Sequence, residues 1–339
     1  MMQIAKPKRR RTQYAIRDAM HGVCTAAVTF AVMCLCGRTL CADAPPRVRR
    51  PAALAFVSNK QGQYNFDTGL LRGKLLAGGK TLGLSSVVHT PSGARLDGSY
   101  GILSYYRVFT ANKRYGTAAW DWPSTSKLLP DGTAQITWPQ AKDRPFEMTA
   151  MYRWIDPVTL DVETIVRARK DLSNFEVFLA SYFHESFASP YVYVTSNPRR
   201  QGKPGFLLAD KSLGHWQMFP RDETVLRIIH DGRWQKEPHP VDWVIVSHIA
   251  APVCLRRGGA NGLAAVLMSP PRDCFAIATP YEAESHYSLY LSLFGRDIKA
   301  GQTAKARTRF IVAAELSDQQ AVQLYEKYMQ DLADSGIPF

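Results

Sequence analysis

His184 is followed directly by Glu185, with Tyr182 two residues before it. A histidine titrates near neutral pH and a neighbouring carboxylate can orient its ring, so such a pair can move a proton at a reacting carbon. His286 offers a second place of this kind: Glu282 and Glu284 lie just upstream and Tyr290 four residues on. Acid–base chemistry in this chain would run through His184, Glu185 and His286, with Tyr182 and Tyr290 lining the site. The same histidines also suit a structural use, hydrogen-bonded at sheet edges. Whether they share a cleft decides between the two.

Arg107, Arg114, Trp120, Asp121 and Trp122 form the most binding-like set. An indole face stacks on the apolar face of a pyranose, while arginine and aspartate fix hydroxyls or, for arginine, a uronate. The two tryptophans could equally close the end of a β-sandwich. A second polar and aromatic run, His230, Asp231, Trp234, His239, Asp242 and Trp243, reads as a long surface loop. Its spacing fits no zinc motif, and His184-Glu185 lacks the second histidine of HExxH. No metal and no cofactor is expected. The chain has no Gly-rich phosphate loop, no G-x-S-x-G elbow and no dinucleotide fingerprint, which argues against nucleotide cofactors and serine hydrolase chemistry.

The elements that must carry these residues read as strands. Between 145 and 187, Met148, Ala150, Tyr152 and Trp154 share one face of a first strand. Leu160, Val162, Thr164, Val166 and Ala168 share a face of a second, and Phe175, Val177, Leu179 and Phe183 a face of a third. A period of two marks strands buried on one side. The third strand presents Tyr182 and His184 on its other face. Upstream, Leu103, Tyr105, Arg107 and Phe109 alternate onto one face. Downstream, 191–194, 225–229, 243–249, 262–268, 274–279, 286–294 and 307–314 read as further strands, with Leu289 and Leu291 opposite His286, Ser288 and Tyr290. Ser317 and Gln320 have the spacing of a capping box, and Ala321, Leu324, Tyr325, Tyr328 and Leu332 the stripe of the helix it opens. About fourteen strands and one C-terminal helix predict an all-β antiparallel sandwich.

The first 44 residues hold seven Lys and Arg against two acidic residues. A basic start is followed by an uncharged apolar stretch, 22–37, and then by small residues at Cys41, Ala42 and Ala44. That stretch is shorter than the roughly 20 residues needed to span a bilayer. The pattern predicts a signal peptide at 1–44, a loose lead at 45–65 and a single β-sandwich domain at 66–335, in a secreted or periplasmic protein with no membrane span after cleavage. Only Cys254 and Cys274 then remain, either as a disulfide or as two buried thiols. Removing the leader lowers the net charge from +13 to +8. That charge suits an acidic partner as well as a solvated basic surface. An exported β protein makes nucleic acid a poor candidate partner, and the oligomeric state stays open.

Four stretches resemble the galactose-mutarotase-like supersandwich of aldose epimerases, here in an exported bacterial branch. Tyr100-Gly101-Ile102 stands at that family's HGG-type strand entry, and 127–137 matches its Asp-Gly hairpin. Strand 160–168 with Ser181-Tyr182-Phe183 matches the strands ending in its His-x-Tyr-Phe motif, and 295–303 its closing G-x-T turn. The resemblance implies a large antiparallel β-supersandwich with a concave face for a sugar, an acidic one included. It does not imply the epimerase reaction: Ala180 stands where that family carries its acid, and the histidine of the HGG entry is missing. The functions left are an isomerase, lyase or hydrolase acting on a sugar or polysaccharide fragment, a non-enzymatic carbohydrate-binding or envelope protein, and a structural surface protein with no ligand.

Overall fold

The computed structural model describes residues 54–59, 62–258, 262–281 and 286–336. The expected signal peptide, and Glu282 and Glu284, lie outside these residues. The described strands form sheets of nine, seven and five strands, almost all antiparallel.

The alternating residues of the sequence become the faces of the two large sheets. Phe146–Asp156 and Thr159–Ala168 pair at the heart of the nine-stranded sheet, and Thr303–Ala314 continues it. Leu172–Tyr182 is the spine of the seven-stranded sheet, between Ser104–Thr110 and Ser288–Ile298. The inward residues of both sheets, among them Met148, Tyr152, Leu160, Val166, Phe175, Val177, Leu179, Leu289 and Leu291, form one core. The hydroxyls caught inside it are satisfied across the sandwich. Tyr105 meets Thr164 Oγ1 at 2.7 Å, and Tyr152 donates to the Leu103 carbonyl at 2.9 Å. Burying either unpaired would cost on the order of 1–3 kcal/mol.

Each large sheet has a second, outer face, and the two are closed differently. The nine-stranded sheet is covered by the helix Asp318–Asp334, which opens with the expected Ser317–Gln320 capping box and buries Ala321, Tyr328 and Leu332 against Val253, Leu255, Val266 and Ile311. The seven-stranded sheet, which includes Trp216–Pro220 and Val244–Ile245, is covered by the chain between those two strands, which packs Val225, Ile228, Ile229 and Trp234 with Phe109, Phe178, Ala180, Met218 and Tyr290.

Several expectations are corrected. Leu103, Tyr105, Arg107 and Phe109 do not share a face. Phe178 pairs with Arg107 but Leu179 with Tyr105, so Tyr106 is an extra residue, a β-bulge. The bulge turns Tyr105 into the inter-sheet core while Phe109 joins the outer cluster. The stretch 225–229 is a turn of 3-10 helix running into the short helix Leu226–Ile229, opened by Asp222, whose carboxylate accepts from Thr224 N–H. The strand expected at 243–249 is two residues, Val244–Ile245; the long strand is Ile249–Arg257, buried on both faces except at Ala250 and Arg257 and therefore without alternation. The lead at 45–65 supplies Val57–Ser58 and Tyr64–Asp67 to the five-stranded sheet, with Phe56 and Tyr64 in the core. Of the two alternatives for Cys254 and Cys274, the structure has the buried free thiols.

Candidate functional site

The cover over the seven-stranded sheet is incomplete. Between it and the sheet lies a cleft of about 410 Å³, within the size range of small-molecule sites. Phe178, Tyr182 and Tyr290 form its floor from the central strands. Tyr106 and Arg107 enter from the bulge, Tyr100, Trp120 and Asp121 from the loops beside it, Trp216 from the start of strand Trp216–Pro220, and Trp234, His239 and Trp243 from the covering chain. Arg107, Trp120 and Asp121 from one of the runs that looked separate in sequence, and Trp234, His239 and Trp243 from the other, thus line one cavity.

Arg107 is the polar centre of the cleft. Its side chain is 4% exposed. Its guanidinium lies over the Tyr106 ring at 4.9 Å and the Trp234 ring at 5.4 Å. Nη2 donates to the His239 carbonyl at 2.8 Å and reaches Tyr106 Oη at 3.3 Å, while Nε and Nη1 are buried with no hydrogen-bond partner. The bulge makes this arrangement: in a regular strand Tyr106 and Arg107 would point to opposite faces.

Trp120 is in the cleft, but not as a stacking platform. Tyr106 stacks on it at 4.6 Å with planes 3° apart, and Tyr100 stacks at 5.3 Å with planes 13° apart. Rings thus stack against Trp120 from two partners, and it is 5% exposed. Tyr100, 37% exposed, is the outermost ring of this stack. Its position depends on Gly101, whose φ is +72° and where a Cβ would come within 1.9 Å of the Leu82 carbonyl oxygen. Asp121 is at the rim, paired with Lys80 at 3.4 Å.

On the floor, Ser288 donates to Tyr290 Oη at 2.8 Å, and Tyr290 in turn lies 3.4 Å from Tyr182 Oη. Burial pushes Tyr182 well above the ordinary tyrosine value, with Tyr290 adding to it, and burial raises Tyr290 as well. Both are therefore neutral hydroxyls near pH 7, able to hydrogen-bond a ligand but not to act as ready-made bases.

The expected acid–base residues lie in an adjoining groove of about 580 Å³, which shares Tyr100, Tyr182 and His286 with the cleft. The His286 ring meets Tyr182 edge-on, centroids 5.4 Å apart. His184 is just past the end of its strand, not on it. Its Nδ1 accepts from Ser186 N–H at 3.2 Å and lies 3.0 Å from Ser186 Oγ, which leaves the ring proton on Nε2. Glu185 is exposed in the following turn. His184, Glu185 and His286 thus line one groove, yet no hydrogen bond joins them to each other in the described structure. Asp97, in the same wall, is committed elsewhere: its carboxylate accepts from Ser86 N–H at 2.9 Å and Val87 N–H at 2.7 Å.

Two expected binding residues stand apart. Arg114 does not line the cleft. It donates to the carbonyls of Lys236, Pro238 and Thr117, tying the covering loop to the sheet edge. Burial, and then the charge of Arg107, lower it to about 10. Trp122 faces the inter-sheet core, with the Arg144 guanidinium 4.2 Å over its ring. Conversely, Tyr100, Tyr106, Trp216 and Phe178 were not singled out by their types; a dense supply of aromatic residues in polar loops was the available signal. Among the described residues no group of three or more His, Cys, Asp or Glu could hold a metal ion.

No protein-family model matches the chain, and no curated protein does. Solved structures similar to it include the Slr1438 protein from Synechocystis sp. PCC 6803, at 12% identity over 75% of this chain and 96% of that one, with a TM-score of 0.49. A galactose mutarotase related enzyme from Lactobacillus acidophilus shares 10% identity over 76% and 99%, with a TM-score of 0.42. The GalM/aldose epimerase homologue from C. elegans shares 9% over 78% and 99%, with a TM-score of 0.41. All three have TM-scores below 0.5 and identities of 12% or less, which give no residue of this chain a role.

Proposed function

We propose that the protein is an exported carbohydrate-binding protein whose ligand occupies the cleft over the seven-stranded sheet. The observation that carries the reading is the make-up of that cleft. Aromatic rings from several loops and strands enclose a cavity whose polar groups include phenol hydroxyls, an arginine, His239, His286 and the Asp121–Lys80 pair at the rim. A sugar ring has an apolar C–H face and an equator of hydroxyls, so it needs ring surfaces and hydrogen-bonding groups at right angles to each other. Tyr100 and Trp243 offer the first at the mouth, and the Tyr182–Tyr290 hydroxyl pair the second at the floor.

A glycan array probed with residues 45–339 tests the reading, followed by calorimetry on any hit. Binding of at least one glycan, weakened about tenfold by Tyr100→Ala, is the expected result; about 1.4 kcal/mol is within the worth of one good ring contact. Failure to bind any glycan would sink it.

A second reading has one observation in its favour: His184, Glu185 and His286 line a groove that opens into the cleft. If a bound sugar extended into it, His286 could exchange a proton with the sugar, an isomerase, lyase or hydrolase activity. Mass-spectrometric product analysis separates the two readings. Turnover abolished by His286→Ala with binding retained would favour the enzyme; binding with no product favours the binding protein.

A further inference from the structure

Among the described residues, Arg107 is a buried cation without a counter-charge. No described carboxylate lies within salt-bridge distance of Arg107, whereas Arg233 pairs with Glu176 at 2.8 Å and Arg309 with Asp161 at 2.7 Å. The one acidic side chain among the described residues lining the cleft, Asp121, is already paired with Lys80. Arg114 lies close enough to feel the charge of Arg107, with Glu237 acting on it in the opposite sense, and does not cancel the charge of Arg107. Two of the three guanidinium nitrogens of Arg107 have no acceptor. Two aromatic faces and one carbonyl hold the group in place, but neither neutralises it.

A buried cation of this kind attracts an anion strongly, because the surroundings screen it little and its desolvation has already been met on folding. Arginine suits an oxyanion better than a lysine would, since its donors are fixed in a plane. We propose that the cleft is built for an acidic sugar, whose carboxylate or sulfate group docks against Arg107 while the ring lies among Tyr100, Tyr106 and Trp243. This rests on the carbohydrate-binding reading and names its ligand class. The excess of positive charge on the mature chain, +8, acts in the same direction from a distance by drawing a polyanionic chain to the surface.

The test is a calorimetric comparison on the wild-type protein, using an oligogalacturonide, the same oligomer with its carboxyl groups reduced to alcohols, and a sulfated oligosaccharide of equal length. The expected result is at least tenfold tighter binding of the uronide or the sulfated oligomer than of the reduced one. Whichever anion binds tighter identifies the group that Arg107 receives. Equal binding of the charged and reduced oligomers would overturn the proposal and leave the carbohydrate reading standing, whereas no binding of any of the three, with a blank glycan array, would remove both. Arg107→Met should then cut affinity for the preferred anionic oligomer by at least tenfold, and by a larger factor than it cuts affinity for the reduced one. If that variant does not fold, Arg107→Lys keeps the charge and loses the planar fork. It should retain a preference for the charged oligomer that is weaker than wild type, and the wild-type comparison decides the proposal by itself.

Discussion

At the scale of single residues, the cleft shows how far environment outweighs residue type. Tyr182 and Tyr290 were legible as candidates because alternation put them opposite the apolar faces of their strands. Their protonation was not legible, because it depends on burial from the covering chain. Burial raises both phenols, and also Tyr105, Tyr152 and Tyr328. A group whose pKa is raised on folding holds its proton more tightly in the folded state. Stability is then complete below the unfolded value near 10 and falls as pH rises above it. We expect a spectrophotometric titration to show these five tyrosines silent where exposed tyrosines ionise, and then to ionise together as the protein unfolds in alkali. Early ionisation of all fifteen tyrosines without unfolding would contradict the buried floor. Trp120 carries the opposite lesson. Its type suggested a stacking platform, but tyrosines occupy that role around it, and the exposed member of the stack is Tyr100.

At the scale of elements, what was legible followed from periodicity, and what was not followed from its interruption. The faces of strands 146–156, 159–168 and 172–182 could be read because each has one core side and one other side. Tyr106 could not be read as a bulge, since one extra residue leaves the local sequence looking alternate while reversing the faces on either side of it. Ile249–Arg257 was missed because a strand buried on both faces has no period. The covering loop is held by ion pairs rather than by a pattern. Arg233, fully buried, bonds Glu176 on the spine strand at 2.8 Å and Asp231 at its own start, also at 2.8 Å. Removing one member of a buried network leaves the other charges unpaired, at a cost of about 3–5 kcal/mol. Arg233→Met should therefore lower the melting temperature by on the order of 10 °C, read by circular dichroism. A shift under about 2 °C would show that the loop is held some other way. The C-terminal helix offers a milder case. Ser317→Ala removes the side chain that accepts from Gln320 N–H, which should cost about 1 kcal/mol in chemical denaturation without changing the cleft.

At the scale of the whole molecule, the decisive feature is that a two-sheet sandwich has three apolar layers to fill, and this chain fills them unequally. The layer between the sheets is sealed, the outer layer of the nine-stranded sheet is closed by a helix, and the outer layer of the seven-stranded sheet is closed by irregular chain that leaves a cleft. Opening the cleft should therefore be separable from parting the sheets. The two thiols report on the second process. Cys254 comes from the nine-stranded sheet and Cys274 from the seven-stranded sheet, both wholly buried in the layer between them. Burial raises both, Cys274 to about 12, so neither is a reactive thiolate at neutral pH. With a thiol-specific chromophore and no reductant, residues 45–339 should show no reaction when folded and two thiols when denatured. The rate of labelling in intermediate denaturant should follow global unfolding measured by circular dichroism. Tryptophan fluorescence from the cleft, where Trp216, Trp234 and Trp243 gather, should change at lower denaturant than the thiols react. Fluorescence and labelling that move together would mean that the cover and the sandwich open as one unit, and two thiols missing from the denatured, unreduced protein would mean that the sheets are joined covalently after all.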